Sequence, residues 1–237
     1  MCIRDRYGSD PACLFSRLGD FDKVTYVAMG NHDSFNKYSG HYKLSKSYYS
    51  KVFQNIGIIF MDSETSFSAG SSQHTFVTGE LKKFDDDPNI DWKIVVLHRP
   101  FYSAPSDHPD NEGGKTDIYM PEFDKFHVDF IIQGHNHNAQ RSRPIKYKSS
   151  GDLAAVQDSG DTTYVKGKGR IVITNGTGGH DEGSALYQID SHAAYNKYEN
   201  DTDTQLFVLA FTGTNNAVAT GTFYNVDNEV MDTFTVS

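Results

Sequence analysis

Cysteine is almost missing from this chain: its 237 residues include only Cys2 and Cys13. Two cysteines make neither a disulfide framework nor a cysteine-built zinc site. No apolar run approaches the roughly 20 residues that a membrane-spanning helix needs. The start of the chain shows no apolar core of a secretory leader. Positive charge is also in deficit, with 22 Lys and Arg against 31 Asp and Glu and a net charge of −9. That balance speaks against a nucleic-acid partner held through its phosphates. Aromatic residues are plentiful, with 16 Phe and 14 Tyr. They supply the apolar area that a disordered chain lacks. The length fits one large domain better than two small ones.

The first six residues, Met1-Cys2-Ile3-Arg4-Asp5-Arg6, have no periodicity. They are taken as a foreign or truncated start, which leaves 7–237 as the domain. Asp10 and Pro11 begin a short helix that runs through Leu14, Phe15 and Leu18. The apolar stretch Val24 to Met29 has strand length and stops at Gly30-Asn31-His32-Asp33. Residues 34–55 read as irregular with one short helix. Strands are expected over 57–61, 92–97 and 128–132, with helices over 75–86 and 117–127. After residue 140 the pattern turns to strands: 170–174, then 206–212, 217–225 and 229–236 as antiparallel hairpins. Alternating strands and helices followed by mostly strands predict an α/β layered fold with a second sheet.

Three of the strongest apolar runs end in histidine-bearing loops: Met29 before Asn31-His32-Asp33, Leu97 before His98, and Ile132 before His135 and His137. Parallel strands would bring these ends to one edge of the sheet, where open α/β sheets bind ligands. Gly30 and Gly134 would let the chain turn sharply there. In an extended segment His135 and His137 would share a face. They could then serve one metal ion each, or both serve one ion. Asn31 offers a carbonyl oxygen, and His32 beside Asp33 could act as a general acid. A single histidine at a strand end is more often a hydrogen-bonded structural residue, and His41, His74, His108, His127 and His192 are kept on that footing. The ordered combination is what distinguishes the others.

That ordered set resembles the later motifs of the calcineurin-like metallophosphoesterases, closest to their purple acid phosphatase-like branch. Gly30-Asn31-His32-Asp33, His98 and Gly134-His135-Asn136-His137 match three motifs in sequence order. Three further stretches are similar to that branch: 95–103, which includes Pro100, Tyr102 and Ser103; 134–144; and the glycine-rich loop from Thr174 to Gly179. The resemblance implies a metallophosphoesterase-type layered β-sandwich flanked by helices, here lacking its first strand-helix units. It implies that Asn31, His98 and His135 bind one metal and His137 a second. His32 would protonate the leaving oxygen or stabilise the transition state, and Asp33 would orient His32. It further implies hydrolysis of phosphate esters, chiefly phosphomonoesters, by a dinuclear centre whose nucleophile is a metal-bound hydroxide. The two ions of the intact protein would be iron paired with zinc, manganese or iron, and the substrate a small phosphorylated molecule. A secreted or periplasmic location follows from family analogy only.

The departures shape the expectation for this chain. Neither the family's Asp-x-His nor its Gly-Asp is present. Asp20 follows a glycine but lies too near Gly30 for the usual strand-helix-strand excursion. Tyr7 aligns better with the metal-binding tyrosine of Gly-Asp-x-x-Tyr, which puts Arg4 where that aspartate belongs. A chain cut inside the domain is the expected explanation. At most one well-bound metal is expected, with impaired activity and an exposed sheet edge. The family's Tyr-Glu after His-x-His is Ala139-Gln140 here. His41, Tyr42, Tyr102 and His180 are candidates for lining a substrate cleft, and Asn175-Gly-Thr and Asn200-Asp-Thr are weak glycosylation signals. The competing account is a non-catalytic ligand- or partner-binding module of the same fold. A metal-free hydrolase using His32 and Asp33 is a third, although no nucleophile elbow is present.

Overall fold

The computed structural model describes residues 12–104, 111–149, 155–177, 196–201 and 203–237. Its centre is a seven-stranded mixed sheet in the order β1-β2-β3-β4-β9-β5-β10. The strands are β1 Tyr49–Phe53, β2 Ile56–Phe60, β3 Trp92–Val96, β4 Phe130–Gln133, β5 Ala139–Ser142, β9 Ile171–Asn175 and β10 Asn196–Asn200. Strands β2, β3, β4 and β9 run parallel; β1 pairs antiparallel with β2, β5 with β9 and β10 with β5. Between β5 and β9 lie a small pair, β6 Ile145–Lys146 and β7 Ala155–Val156, and β8 Thr163–Tyr164. The second sheet has the order β11-β12-β13-β8, built from β11 Gln205–Thr212, β12 Val218–Asn225 and β13 Val230–Val236 with β8 added in parallel.

Period-2 alternation assigns each face of the central strands to a different layer. Trp92, Ile94, Phe130, Ile171 and Ile173 point one way, onto Ala219, Phe223, Phe234 and Val236 of the second sheet. Val95, Leu97, Ile131 and Val172 point the other way, onto the helices. Covered on both faces, these strands read as unbroken apolar runs, which is why they were the clearest elements in the sequence. At about 1.5–3 kcal/mol for each fully buried large apolar side chain, these two faces dominate the stability.

The helices are α1 Ala12–Leu18, α2 Phe35–Tyr42, α3 Ser72–Asp86 and α4 Lys115–Lys125. In α3 the Ser71 side chain accepts from the His74 N–H at 3.1 Å, satisfying an orphan donor at the N-terminus. Val77, Leu81 and Phe84 then form one buried stripe, and Pro88 follows the helix end. In α4, Tyr119, Met120 and Phe123 fill the same helix-side core. Among the described residues, no helix is long and apolar enough to cross a membrane.

Two expectations are corrected. Residues 24–29 join no ladder: Gly19–Val24 is a 3-10 helix, and residues 25–30 follow it without regular secondary structure. Their apolar side chains can still pack, but no neighbouring strand is present among the described residues to complete the hydrogen bonding. The Tyr49 hydroxyl stands in, accepting from the Val27 N–H and donating to the Val27 carbonyl, both at 2.8 Å. Residues 34–55 are not merely irregular, since they contain β1 as well as α2. That strand lies at the sheet edge, and its Val52 and Phe53 are exposed. The late strands, polar and short in β5 to β8, carried no periodicity that could have announced them. In β5 the buried Arg141 is held instead by a bidentate pair with Asp232, at 2.5 and 2.9 Å, and by the Tyr164 hydroxyl at 2.7 Å. Burial alone would lower the Arg141 pKa, but its bonds to Asp232 and the charge there raise it.

Candidate metal centre

Strands β3 and β4 are parallel neighbours, with Val96 beside Ile132. Their ladder continues past both strands: Leu97 N–H donates to the Ile132 carbonyl and Gly134 N–H to the His98 carbonyl, both at 3.0 Å. This brings the loops bearing His98 and His135 side by side. The His98 and His135 rings stand edge to face with centroids 4.8 Å apart. His98 Nε2 lies 3.1 Å from His135 Nδ1 and 2.8 Å from Asn31 Oδ1. Three loops distant in sequence therefore meet at one point, as the apolar strand ends suggested.

The local geometry differs from the sequence picture in one respect. Residues 135–138 form bends, so His135 and His137 are not two positions of one extended strand. His135 itself takes the left-handed region, at φ 68°. Such a backbone is uncommon for a non-glycine residue and is concentrated at functional sites. Neither Gly30 nor Gly134 has a left-handed φ. Gly30 is needed for close approach: a Cβ there would lie 2.9 Å from the His98 ring. His137 is buried two residues beyond His135.

A fourth loop packs against the histidine loop. A Cβ on Gly176 would fall 1.8 Å from the Asn136 carbonyl oxygen. Only glycine allows the chain after β9 to pass so near the histidine loop. Gly176 N–H also donates to the Asn138 carbonyl at 3.1 Å. Thr177 is buried and bonds Gln205 of β11 through its hydroxyl. The Asn175-Gly-Thr triplet is thus committed to packing in the folded chain.

Asp33 closes the turn that presents Asn31. Its carboxylate accepts from Gly30 N–H at 2.9 Å, and its own N–H donates to the Gly30 carbonyl at 3.0 Å. Tyr38 of α2 is buried against it; burial first, then the charge of Asp33 and a hydrogen bond to it, push the tyrosine hydroxyl pKa upward. His32 is exposed at the tip of the turn. At the rim, Glu64 binds Arg99 at 2.7 and 3.3 Å. Burial raises the Glu64 pKa, but its bonds to Arg99 and Ser63 and the nearby charges of Arg99 and His98 outweigh this and lower it. Sequence reasoning missed Glu64 and Tyr38 because neither stands in a motif.

Three further described histidines are hydrogen-bonded away from this centre. His41 bonds Asp22 at 2.6 Å, His74 accepts from Gly70 N–H at 3.2 Å and His127 meets Asp85 at 3.2 Å. Tyr42 also bonds Asp22, at 3.0 Å. Asp20 is 97% exposed and paired with Lys23. Tyr7, His108, His180 and His192 lie outside the described residues. Among the described residues, no group of three or more His, Cys, Asp or Glu could hold a metal ion. The set that converges is two imidazoles and one amide oxygen. Imidazole nitrogens suit zinc, iron and copper, and an amide oxygen adds a hard donor. These donors fit one cation, without a carboxylate to offset its charge.

A family model described as calcineurin-like phosphoesterase matches residues 5–139. An uncharacterized protein of Mycobacterium tuberculosis is 30% identical over 95 residues, covering 39% of this chain and 18% of that protein. Purple acid phosphatase 21 of Arabidopsis thaliana is 28% identical over 165 residues, covering 66% of this chain and 34% of the relative. In structure, the chain is similar to a purple acid phosphatase isolated from yellow lupin (Lupinus luteus) seeds. The TM-score is 0.69 at 18% identity, covering 92% of this chain and 35% of the lupin protein. The chain thus spans about a third of the length of these plant phosphatases.

Proposed function

Because the chain belongs to the calcineurin-like phosphoesterase family, we propose that the whole protein hydrolyses phosphate esters, chiefly phosphomonoesters, at a dinuclear metal centre. The observation that carries this is the meeting of Asn31 Oδ1, His98 Nε2 and His135 Nδ1 within hydrogen-bonding distance. Asn31, His98 and His135 would hold one ion and His137 a second, with Tyr7 a further ligand. Ions bound there neutralise phosphoryl oxygens and lower the pKa of a coordinated water. The resemblance to the purple acid phosphatase-like branch implies iron paired with zinc, manganese or iron.

The chain's own residues supply the rest. His32, exposed at the turn tip, delivers a proton to the leaving oxygen. Asp33 fixes the turn through Gly30 N–H and so fixes where His32 and Asn31 stand. Gln133, Asn136 and Gln140 are buried beside the two histidine loops. Without a carboxylate among these ligands, this chain retains one ion at most and turns over poorly.

Metal content and hydrolysis of a generic phosphomonoester test this together, in this chain and in the longer protein. Near-stoichiometric single-metal uptake, abolished by His98→Ala, is expected here, with two ions and chelator-sensitive hydrolysis in the longer protein. Neither uptake nor hydrolysis in both would favour a non-catalytic binding module of the same fold. Hydrolysis that survives a chelator would instead revive a metal-free role for His32 and Asp33.

A further inference from the structure

Gln133 ends β4 and is buried, one residue before Gly134. Its amide makes three bonds to two other segments. Oε1 accepts from Phe101 N–H at 2.9 Å. Nε2 donates to the Tyr102 carbonyl and, at 2.9 Å, to the Thr174 hydroxyl. One planar group therefore fastens the segment after His98, the strand before His135 and the strand before Gly176. Ser103 extends this junction: its hydroxyl oxygen accepts from Asn136 Nδ2 at 2.5 Å and Gln140 Nε2 at 3.1 Å. Gln140 also accepts from Ala104 N–H at 2.8 Å and donates to Asn138 Oδ1 at 2.7 Å.

An amide placed in an apolar core is costly unless its donors and acceptor are paired. A strand needing only to pack would carry an aliphatic side chain there, as Ile131 and Ile132 do on the same strand. The amide's planarity fixes donor and acceptor on opposite sides, so it cannot rotate without breaking bonds to both segments. We propose that Gln133 is a positioning residue for the metal centre: it locks the spacing between the His98 and His135 loops so that their nitrogens face one another. The proposal rests on the metal-centre assignment above. It departs from a purely structural role in what it requires: loss of Gln133 must change the geometry and affinity of the bound ion, beyond any change in stability.

The test uses the chain as it exists and cobalt(II) as the probe, read by visible absorption and by titration. Gln133→Met keeps the volume and removes all three bonds. About a 10-fold weaker cobalt affinity and a shifted absorption band are expected, matching the usual cost of losing a residue that orients metal ligands. His98→Ala is the control and should abolish binding. If His98→Ala loses cobalt while Gln133→Met binds it with wild-type affinity and spectrum, the proposal is overturned and the centre stands. If the wild type and His98→Ala bind cobalt equally, the centre fails and takes the proposal with it. Should Gln133→Met not fold, Thr174→Val removes only one of the three bonds. A band shift of the same sign supports the proposal, and an unchanged spectrum overturns it.

Discussion

The two sides of the candidate centre are built to different standards. His98 and His135 stand at the ends of adjacent parallel strands, buried on both faces and tied together by backbone and amide bonds. Asn31 and His32 stand on a turn that follows an irregular segment outside the sheet. That segment is held near its middle by Tyr49 and at its end by Asp33 and Tyr38. Sites on rigid elements keep their geometry, whereas sites on loops depend on local bonds. Half of the centre is preformed and half is shaped by a few side chains, so the two halves should fail differently.

The largest effect is expected from Gly176→Ala. Its Cβ would meet backbone atoms, which cannot rotate aside. We expect a cost of about 3 kcal/mol from overpacking, and loss of metal uptake because the His135 loop is displaced. Thermal unfolding with metal analysis checks both. If uptake persists unchanged, the preformed half is less rigid than described.

Gly30→Ala should act more gently. Here the intruding Cβ meets the His98 ring, a side chain able to turn. A stability cost of about 1 kcal/mol should accompany a fall in metal affinity. A global loss of stability comparable to that of Gly176→Ala would erase the distinction between the halves.

Tyr49→Phe removes both bonds to Val27 while keeping the ring. A loss of about 1 kcal/mol is expected. Amide hydrogen exchange should quicken over 25–33 and stay unchanged in β3 and β4. Uniform acceleration would show that the two sides open as one unit.

A pH effect concerns the far end of the rigid half. Asp129, just before β4, accepts from Lys93 N–H at 2.9 Å. Burial raises its pKa from 3.8 to about 6, against the lowering pull of the Lys93 N–H and the charges of Lys166, Lys93 and His127. The folded state therefore holds this proton more tightly than the unfolded chain. Its stabilising contribution is present in full below pH 3.8 and is lost as the pH rises through about 6. Asp129→Asn should flatten the unfolding midpoint across that window, and an unaltered pH profile would contradict the assignment.

What the sequence disclosed follows the same division. The strands at 57–61, 92–97, 128–132 and 170–174 were legible because burial on both faces left continuous apolar runs. The three hairpin strands at the end were legible from alternation around Gly213 and Asn228. Strand β5 was not, since its Ala-Gln-Arg-Ser is polar and becomes core only through Asp232, far along the chain. The apolar stretch at 24–29 read as a strand because its composition is that of one; composition does not tell whether a neighbour is there to pair with. Asn31, His98 and His135 were legible as a group from their places after apolar runs. The bend at His135 and the contribution of Gln133 and Gln140 were not, because tertiary hydrogen bonds leave no periodic trace.

The buried Arg141–Asp232 pair has a practical consequence for anyone wishing to cut this protein down. The histidine edge occupies residues 30–137, yet the strands that carry it receive one whole face from residues beyond 205. A stop codon placed before Val230 would strip away the central strand β13 and leave Arg141 charged with no counterion from Asp232. The smallest transplantable unit is therefore not the motif-bearing half but the span that includes the second sheet. A miniature built from the motifs alone would expose Trp92, Phe130 and Ile173 to water and self-associate through them.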